Sequence, residues 1–167
     1  LIKHVALMDG YYKEEKQTKE SIKDGWLYTG DEGFIDDEGF LKITGRVKDL
    51  FKTSKAKYVA PAPIEMKVSA NKNIEQVCVV GDGIPNPIAL ITLSDYAQNR
   101  PKEDVVDSLS KTLSVVNPKF DVHEQIKKII VLKEEWTIEN NLLTPSMKIK
   151  RNEVEKLHKS NYESWYE

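Results

Sequence analysis

Glu75-Gln76-Val77-Cys78-Val79-Val80, closed by Gly81-Asp82-Gly83 and followed by the run Ile88 to Leu93, is the stretch on which the fold turns. Two short, nearly continuous apolar runs on either side of a Gly/Asp turn read as buried strands. Further along, Val105, Val106, Leu109, Leu113 and Val116 recur at helical spacing, and Pro118 stops that helix. Lys128 to Leu132 reads as a third strand, and Val154, Leu157 and Trp165 predict a closing helix. Toward the amino terminus, Pro61 and Pro63 suit a helix start, where a missing N–H costs nothing. Ile64 and Val68 fall one turn apart on it. Before it, Leu50-Phe51-Lys52-Thr53 and Lys57-Tyr58-Val59 are the arms of a hairpin. There is no internal repeat. The expectation for residues 49–167 is a small α+β domain, with a sheet of about three strands and helices packed on it.

Residues 1–48 differ in texture. They are rich in Gly, Asp and aromatics, with strand-like runs at Trp26 to Thr29, Gly33 to Ile35 and Phe40 to Thr44. Asp37-Glu38-Gly39 marks a turn between the last two, which predicts a hairpin. This β-rich piece is expected to belong to a different domain from residues 49–167. The opening Leu1-Ile2-Lys3-His4-Val5 reads as the middle of a longer chain.

Bulk properties exclude several classes. In 167 residues, 40% are hydrophobic and 31% charged, which supports a packed core and argues against disorder. The formal charge of −2 argues against a dedicated nucleic-acid binder. No apolar run reaches the length of a membrane span. The single cysteine, Cys78, makes no internal disulfide and fits a reducing, cytoplasmic setting.

Three segments carry candidate chemistry. In Tyr28-Thr29-Gly30-Asp31, Gly30 permits a sharp turn that brings a carboxylate to a ligand, and a carboxylate accepts two hydrogen bonds from a vicinal diol. The same residues fit an Asp capping its own turn. In Gly45-Arg46-Val47-Lys48-Asp49, Arg46 offers a planar fork of donors suited to ribose and phosphate oxygens, and the cluster equally fits a solvated domain edge. In Leu142 to Arg151, an apolar, Pro-containing loop delivers Lys148 just before a helix; an ammonium there neutralises charge as a carboxylate attacks a phosphate. A helix-start loop with surface lysines is the plainer reading. His4, His123 and His158 lack metal-ligand spacing, so no metal site is expected, and Cys78 reads as inert packing in an apolar strand. There is no Gly-rich phosphate loop and no nucleophile elbow.

Order and spacing add what the separate segments lack. Met8 to Tyr12 with Thr18, Asp24-Gly25-Trp26-Leu27-Tyr28-Thr29-Gly30-Asp31, Gly45 to Asp49 through Pro61-Ala62-Pro63-Ile64-Glu65, and Leu142 to Arg151 occur in the order seen at the end of AMP-forming acyl-CoA synthetases. The chain resembles that adenylate-forming superfamily over nearly its whole length. Lys48 to Ser54, Lys57 to Pro61 and Leu143 to Arg151 are similar to its long-chain fatty acid branch.

The resemblance implies that residues 1–48 end a large adenylating domain and that residues 49–167 form a mobile lid. It implies that Asp31 holds the ribose hydroxyls of AMP beside Tyr28 and Thr29, and that Arg46 contacts ribose or phosphate. Lys48 becomes the hinge and Lys148 the catalytic lysine of adenylation, while Ser54-Lys55-Ala56-Lys57 lines the path of CoA. Fatty acid, ATP and CoA are the implied substrates, met through a larger upstream part that also carries the phosphate loop, the acyl pocket and most of the Mg²⁺ site. The fragment alone is expected to be inactive. Ala56 stands where the family usually has Gly, Asn141 replaces another common Gly, and Met147 takes the place before the lysine that peptide-synthetase adenylation domains and coumarate-type ligases fill with Gly. Alternatives are a relative that adenylates another acid (aryl or medium-chain), an acyl-AMP ligase that skips CoA, and a non-catalytic module that kept the lid fold. Acyl length, oligomeric state and membrane association of the whole protein are left open by the sequence.

Overall fold

A computed structural model describes all residues 1–167. Contacts divide the chain into two compact units, Leu1–Lys48 and Asp49–Glu167.

The first unit holds helix α1 (Glu15–Ser21) and two small antiparallel ladders: β1 (Ile22–Lys23) with β2 (Trp26–Leu27), and β3 (Asp31–Ile35) with β4 (Leu41–Arg46). The β3–β4 hairpin forms where the strand-like runs and the Asp37-Glu38-Gly39 turn placed it; Asp36 ties the turn by accepting the N–H groups of Glu38 and Phe40. Helix α1 was not expected. Its Glu/Lys/Gln/Thr composition has no apolar stripe to announce it, and no residue of it is buried. None of residues 1–48 is buried at all.

The second unit begins with a hairpin of β5 (Phe51–Lys52) and β6 (Tyr58–Val59), followed by α2 (Pro61–Val68). Its sheet contains β7 (Ile74–Val80), β8 (Ile88–Leu93) and β9 (Lys128–Val131), in the order β7-β8-β9. Strand β7 runs antiparallel to β8, and β9 runs parallel to it. A parallel neighbour requires a crossover; here it contains α3 (Asp95–Gln98) and α4 (Lys102–Val116). Helices α5 (Arg151–His158) and α6 (Tyr162–Tyr166) close the chain.

The period of two along the strands sorts the core onto two faces. Val77, Val79, Ala89 and Ile91 pack with Ile64 and Val68 of α2 and Val105, Leu109 and Val116 of α4. Cys78, Val80, Ile88 and Leu90 pack with Trp136, Leu142, Leu143, Val154 and Tyr162. The sheet is thus covered on both sides, as an α+β domain with near-continuous apolar strands requires. Two expected core residues lie outside: Val106 is 51% exposed and Leu157 55%. Val106 follows Val105 by one position and so faces away from the stripe. The single closing helix is two, α5 and α6, joined by a 3-10 turn at Lys159–Asn161.

Segment 133–150 has little regular structure, yet it is pinned to the sheet. Gln76 on β7 donates from Nε2 to the Trp136 carbonyl (2.8 Å) and accepts the Trp136 N–H at Oε1 (3.0 Å). Thr92 on β8 donates to the same Oε1. The two side chains thereby satisfy one another and a loop peptide inside the core.

Candidate functional site

In the first unit, Asp31 opens β3 directly opposite Arg46, which ends β4. Arg46 Nε donates to Asp31 Oδ1 at 3.2 Å. Gly30, at φ +76°, makes the turn that precedes them, and its carbonyl accepts the Val47 N–H. Thr29 Oγ1 accepts the Asp31 N–H at 3.1 Å. Tyr28, Thr29, Gly30, Asp31, Arg46 and Lys48 line one cleft of about 760 Å³, a size that suits a small-molecule ligand. The residues singled out by sequence around this site thus share one cavity, bringing a carboxylate, a guanidinium, a hydroxyl and an aromatic ring to it. The Asp31–Arg46 pair is partly exposed, so its net stabilisation is small and both groups stay available to a ligand.

In the second unit, two turns each present a lysine, and they have the same build. In the first, Thr53 O accepts the Ala56 N–H (2.9 Å), Thr53 N–H donates to Lys57 O (2.9 Å), and Thr53 Oγ1 accepts the Lys57 N–H (3.2 Å). In the second, Thr144 O accepts the Met147 N–H (2.8 Å), Thr144 N–H donates to Lys148 O (2.8 Å), and Thr144 Oγ1 accepts the Lys148 N–H (3.0 Å). The residue before each lysine is left-handed: Ala56 at φ +60° and Met147 at φ +61°. This is the turn-plus-bulge closure of short hairpins, in which Gly normally fills the left-handed place. Asn141 is left-handed too, at φ +64°. Ser54, Lys55, Ala56 and Lys57 are exposed at one tip, and Met147 and Lys148 at the other.

The second turn stands on the core. Leu142 and Leu143 are buried, Leu143 bridges Ile149, and Lys150 N–H donates to Leu142 O. Beyond it, Arg151 enters the interior, where its Nη2 reaches Glu65 Oε1 at 2.6 Å. Its Nη1 donates to the Val79 carbonyl and lies 3.3 Å from Cys78 Sγ, while Nε has no partner. Sequence reading missed this contact. The partners are 86 residues apart, and the only signal was a Glu on a helix that is otherwise read for its apolar face.

Cys78 behaves as packing: it is buried, and burial pushes its thiol up to about 12, so it stays protonated. His4 is exposed and accepts the Ala6 N–H at Nδ1. His158 lies with its ring centroid 5.6 Å from that of Trp165, the two rings tilted, and burial lowers its pKa below the usual imidazole value. His123 does sit with two carboxylates, Asp121 and Glu124, with ligand atoms within 4.8 Å, a grouping that spacing among the histidines does not reveal. Glu124 is already used there to cap the Asp121 N–H. An imidazole in the set also disfavours Mg²⁺, which takes oxygen ligands in octahedral geometry. This group is therefore not assigned to Mg²⁺.

Residues 48–167 match the family described as AMP-binding enzyme C-terminal domain. The chain belongs to that family. Members similar to it include the long-chain-fatty-acid–CoA ligase FadD15 of Mycobacterium tuberculosis, 33% identical over 99% of this chain and 30% of that protein. Long-chain-fatty-acid–CoA ligase 5 of Mus musculus is 35% identical over 99% of this chain and 27% of its own length. Fatty acyl-CoA synthetase B of Dictyostelium discoideum is 32% identical over 96% and 27%. This AMP-binding enzyme C-terminal domain, with the segment before it, therefore spans less than a third of the length of the relatives it matches. Among solved structures, the adenylation domain of a carboxylate reductase from Mycobacterium chelonae superposes with a TM-score of 0.79 at 24% identity, covering 95% of this chain and 26% of that one. The corresponding domain from Segniliparus rugosus, in complex with AMP and a co-purified carboxylic acid, also gives 0.79 at 23% identity, covering 98% and 27%. These two likenesses concern the fold. No helix here is long and apolar enough to cross a membrane.

Proposed function

We propose that this chain is the closing part of an ATP-dependent, AMP-forming long-chain fatty acid–CoA ligase. Residues 1–48 end its adenylating body, residues 49–167 are its lid, and Lys48 is the hinge. The observation that carries the reading is the pair of lysine-bearing turns of equal build on one compact unit, in a chain whose relatives at 32–35% identity are long-chain fatty acyl-CoA ligases and synthetases. The character of residues 1–48 supports the division. Val5, Ile35, Phe40 and Leu41 are 99%, 72%, 65% and 63% exposed, apolar surface of the kind a larger body covers.

The reaction has two steps. A fatty acid carboxylate oxygen attacks the α-phosphorus of ATP; the new P–O bond forms as the bond to the β-phosphate oxygen breaks, and pyrophosphate leaves. Asp31 accepts hydrogen bonds from the ribose diol, and Arg46 supplies donors beside it. Lys148, carried on its exposed turn, offsets negative charge as it builds on the α-phosphate and the incoming carboxylate. The CoA thiolate then attacks the acyl carbonyl; the C–S bond forms, the C–O bond to AMP breaks, and AMP departs. The Ser54–Lys57 tip lines the thiol's approach in this second step. Lysine turns at separate points of one rigid unit serve one active site in succession if the unit pivots about Lys48. Mg²⁺, whose site the resemblance puts mainly outside these residues, would supply charge neutralisation on the phosphates when bound.

The test is made in the full-length protein. Lys148→Ala is expected to lower acyl-adenylate formation by about 10²–10³ and to leave thioester formation from supplied acyl adenylate within about threefold. Equal losses in the two half-reactions overturn the role given to Lys148.

A further inference from the structure

Glu65 and Arg151 meet at the outer edge of β7, the strand that ends the sheet on that side. Glu65 Oε1 accepts the Val79 N–H at 2.7 Å and the Arg151 Nη2 donor at 2.6 Å. Arg151 Nη1 donates back to the Val79 carbonyl at 2.7 Å. A single side-chain pair thus takes both backbone groups of Val79. The side chains are only 13% and 17% exposed, so each charge depends on the other for its solvation.

The placement of this pair relative to Lys148 is what matters. The lysine turn has two stems of unequal strength. Before it, Leu142 and Leu143 are buried in the core. After it, Ile149 and Lys150 are only half-buried, and Lys150 spends its ammonium on Asn141, which is itself exposed. Arg151 is the first deep anchor past the turn. It also opens α5, so it fixes the angle at which the chain leaves the loop. At its other end, Glu65 belongs to α2, the helix that starts just after the Ser54–Lys57 turn. The Ser54–Lys57 turn is held separately, by Ser54 N–H on Ile84 O and Gly83 N–H on Lys52 O, so the ion pair bears on the Lys148 turn alone.

We propose that Arg151 is a positioning residue for Lys148: with Glu65 it clamps the exit of the lysine turn to β7 and α2, and so sets where the ammonium stands during adenylation. This rests on the adenylation role given to Lys148 above. A planar guanidinium is required, because one fork reaches a carboxylate and a carbonyl together; a lysine ammonium at the same place serves one of them well. A misplacement of about 1 Å at a reacting centre costs up to roughly a hundredfold in rate.

The experiment is a double-mutant cycle in the full-length protein, read separately in the two half-reactions. Arg151→Met is expected to lower adenylation by about ten- to a hundredfold and thioester formation from supplied acyl adenylate by less than about threefold. In the Lys148→Ala background, adding Arg151→Met is expected to lower adenylation no further than about twofold. A residue that merely holds the fold lowers both half-reactions together and adds its full loss to the Lys148→Ala variant; either result overturns the proposal. Glu65→Gln guards against an unfolded Arg151 variant, since its amide oxygen still accepts the Val79 N–H while the charge is removed. It is expected to show a smaller loss with the same lack of additivity, and full additivity of Glu65→Gln with Lys148→Ala is the contrary result. If Lys148→Ala itself leaves adenylation intact, the function proposed above fails; if it does not, and Arg151→Met is additive with it, the positioning role alone fails.

Discussion

The Thr53–Lys57 and Thr144–Lys148 turns share a hydrogen-bond pattern and differ in what holds them. Thr53 is 3% exposed, and its turn is laced on both flanks: Ser54 N–H donates to Ile84 O, and Gly83 N–H donates to Lys52 O. Thr144 is only half-buried, and its turn projects from its own two stems, joined to each other by the Leu143–Ile149 bridge and the Lys150 N–H to Leu142 O bond. The first turn is part of the wall of the domain; the second is a finger. Pro145 compensates in the finger by presetting the backbone at the second turn position. A lysine can thus be delivered with one local geometry from a rigid or a lightly tethered base, and the base decides how much a distant contact matters.

The largest test of that contrast is catalytic. Lys57→Ala in the full-length protein is the counterpart of Lys148→Ala, and it is expected to slow thioester formation from supplied acyl adenylate by roughly tenfold while adenylation stays within about threefold. If both lysine variants damage the same half-reaction, the two turns do not divide the chemistry. Next comes stability. Thr53→Val keeps the shape but removes the acceptor for Lys57 N–H inside the wall, and is expected to cost about 1–2 kcal/mol. Thr144→Val is expected to cost about 0.5 kcal/mol. Urea midpoints measure both, and equal losses erase the distinction between wall and finger. The smallest effect is conformational. Ala56→Gly and Met147→Gly remove a left-handed side chain and are each expected to raise stability by about 0.5–1 kcal/mol, read as a shift of roughly 1–4 °C in Tm. A fall in Tm for either shows that its side chain contributes more than the strained backbone costs.

Much of this architecture was legible because it is local. The apolar runs of β7, β8 and β9, the prolines opening α2 and the turn between β3 and β4 announce themselves over a few residues. So did the places of unusual backbone: Ala56, Asn141 and Met147 each stand where a Gly is common, and each has positive φ. The clustering of Tyr28, Thr29, Asp31, Arg46 and Lys48 was legible through their order along the chain, because a hairpin folds Asp31 back onto Arg46. Contacts without a periodic signature were not. Gln76 and Trp136 are 60 residues apart, and Glu65 and Arg151 are 86 apart; neither pair has any local reason to meet. Helix α1 escaped because a helix that buries nothing leaves no apolar stripe. The likeness of the two lysine turns also escaped, since Thr-Ser-Lys-Ala-Lys and Thr-Pro-Ser-Met-Lys share only their first and last residues.

The capping of Val79 has an outcome beyond catalysis. A bare strand at the margin of a sheet is an invitation to self-association, and proteins blunt such margins with charge. Here the vulnerable peptide is closed by a guanidinium and a carboxylate drawn from distant helices, so a neighbouring molecule that tried to add a strand would first have to expel a buried ion pair.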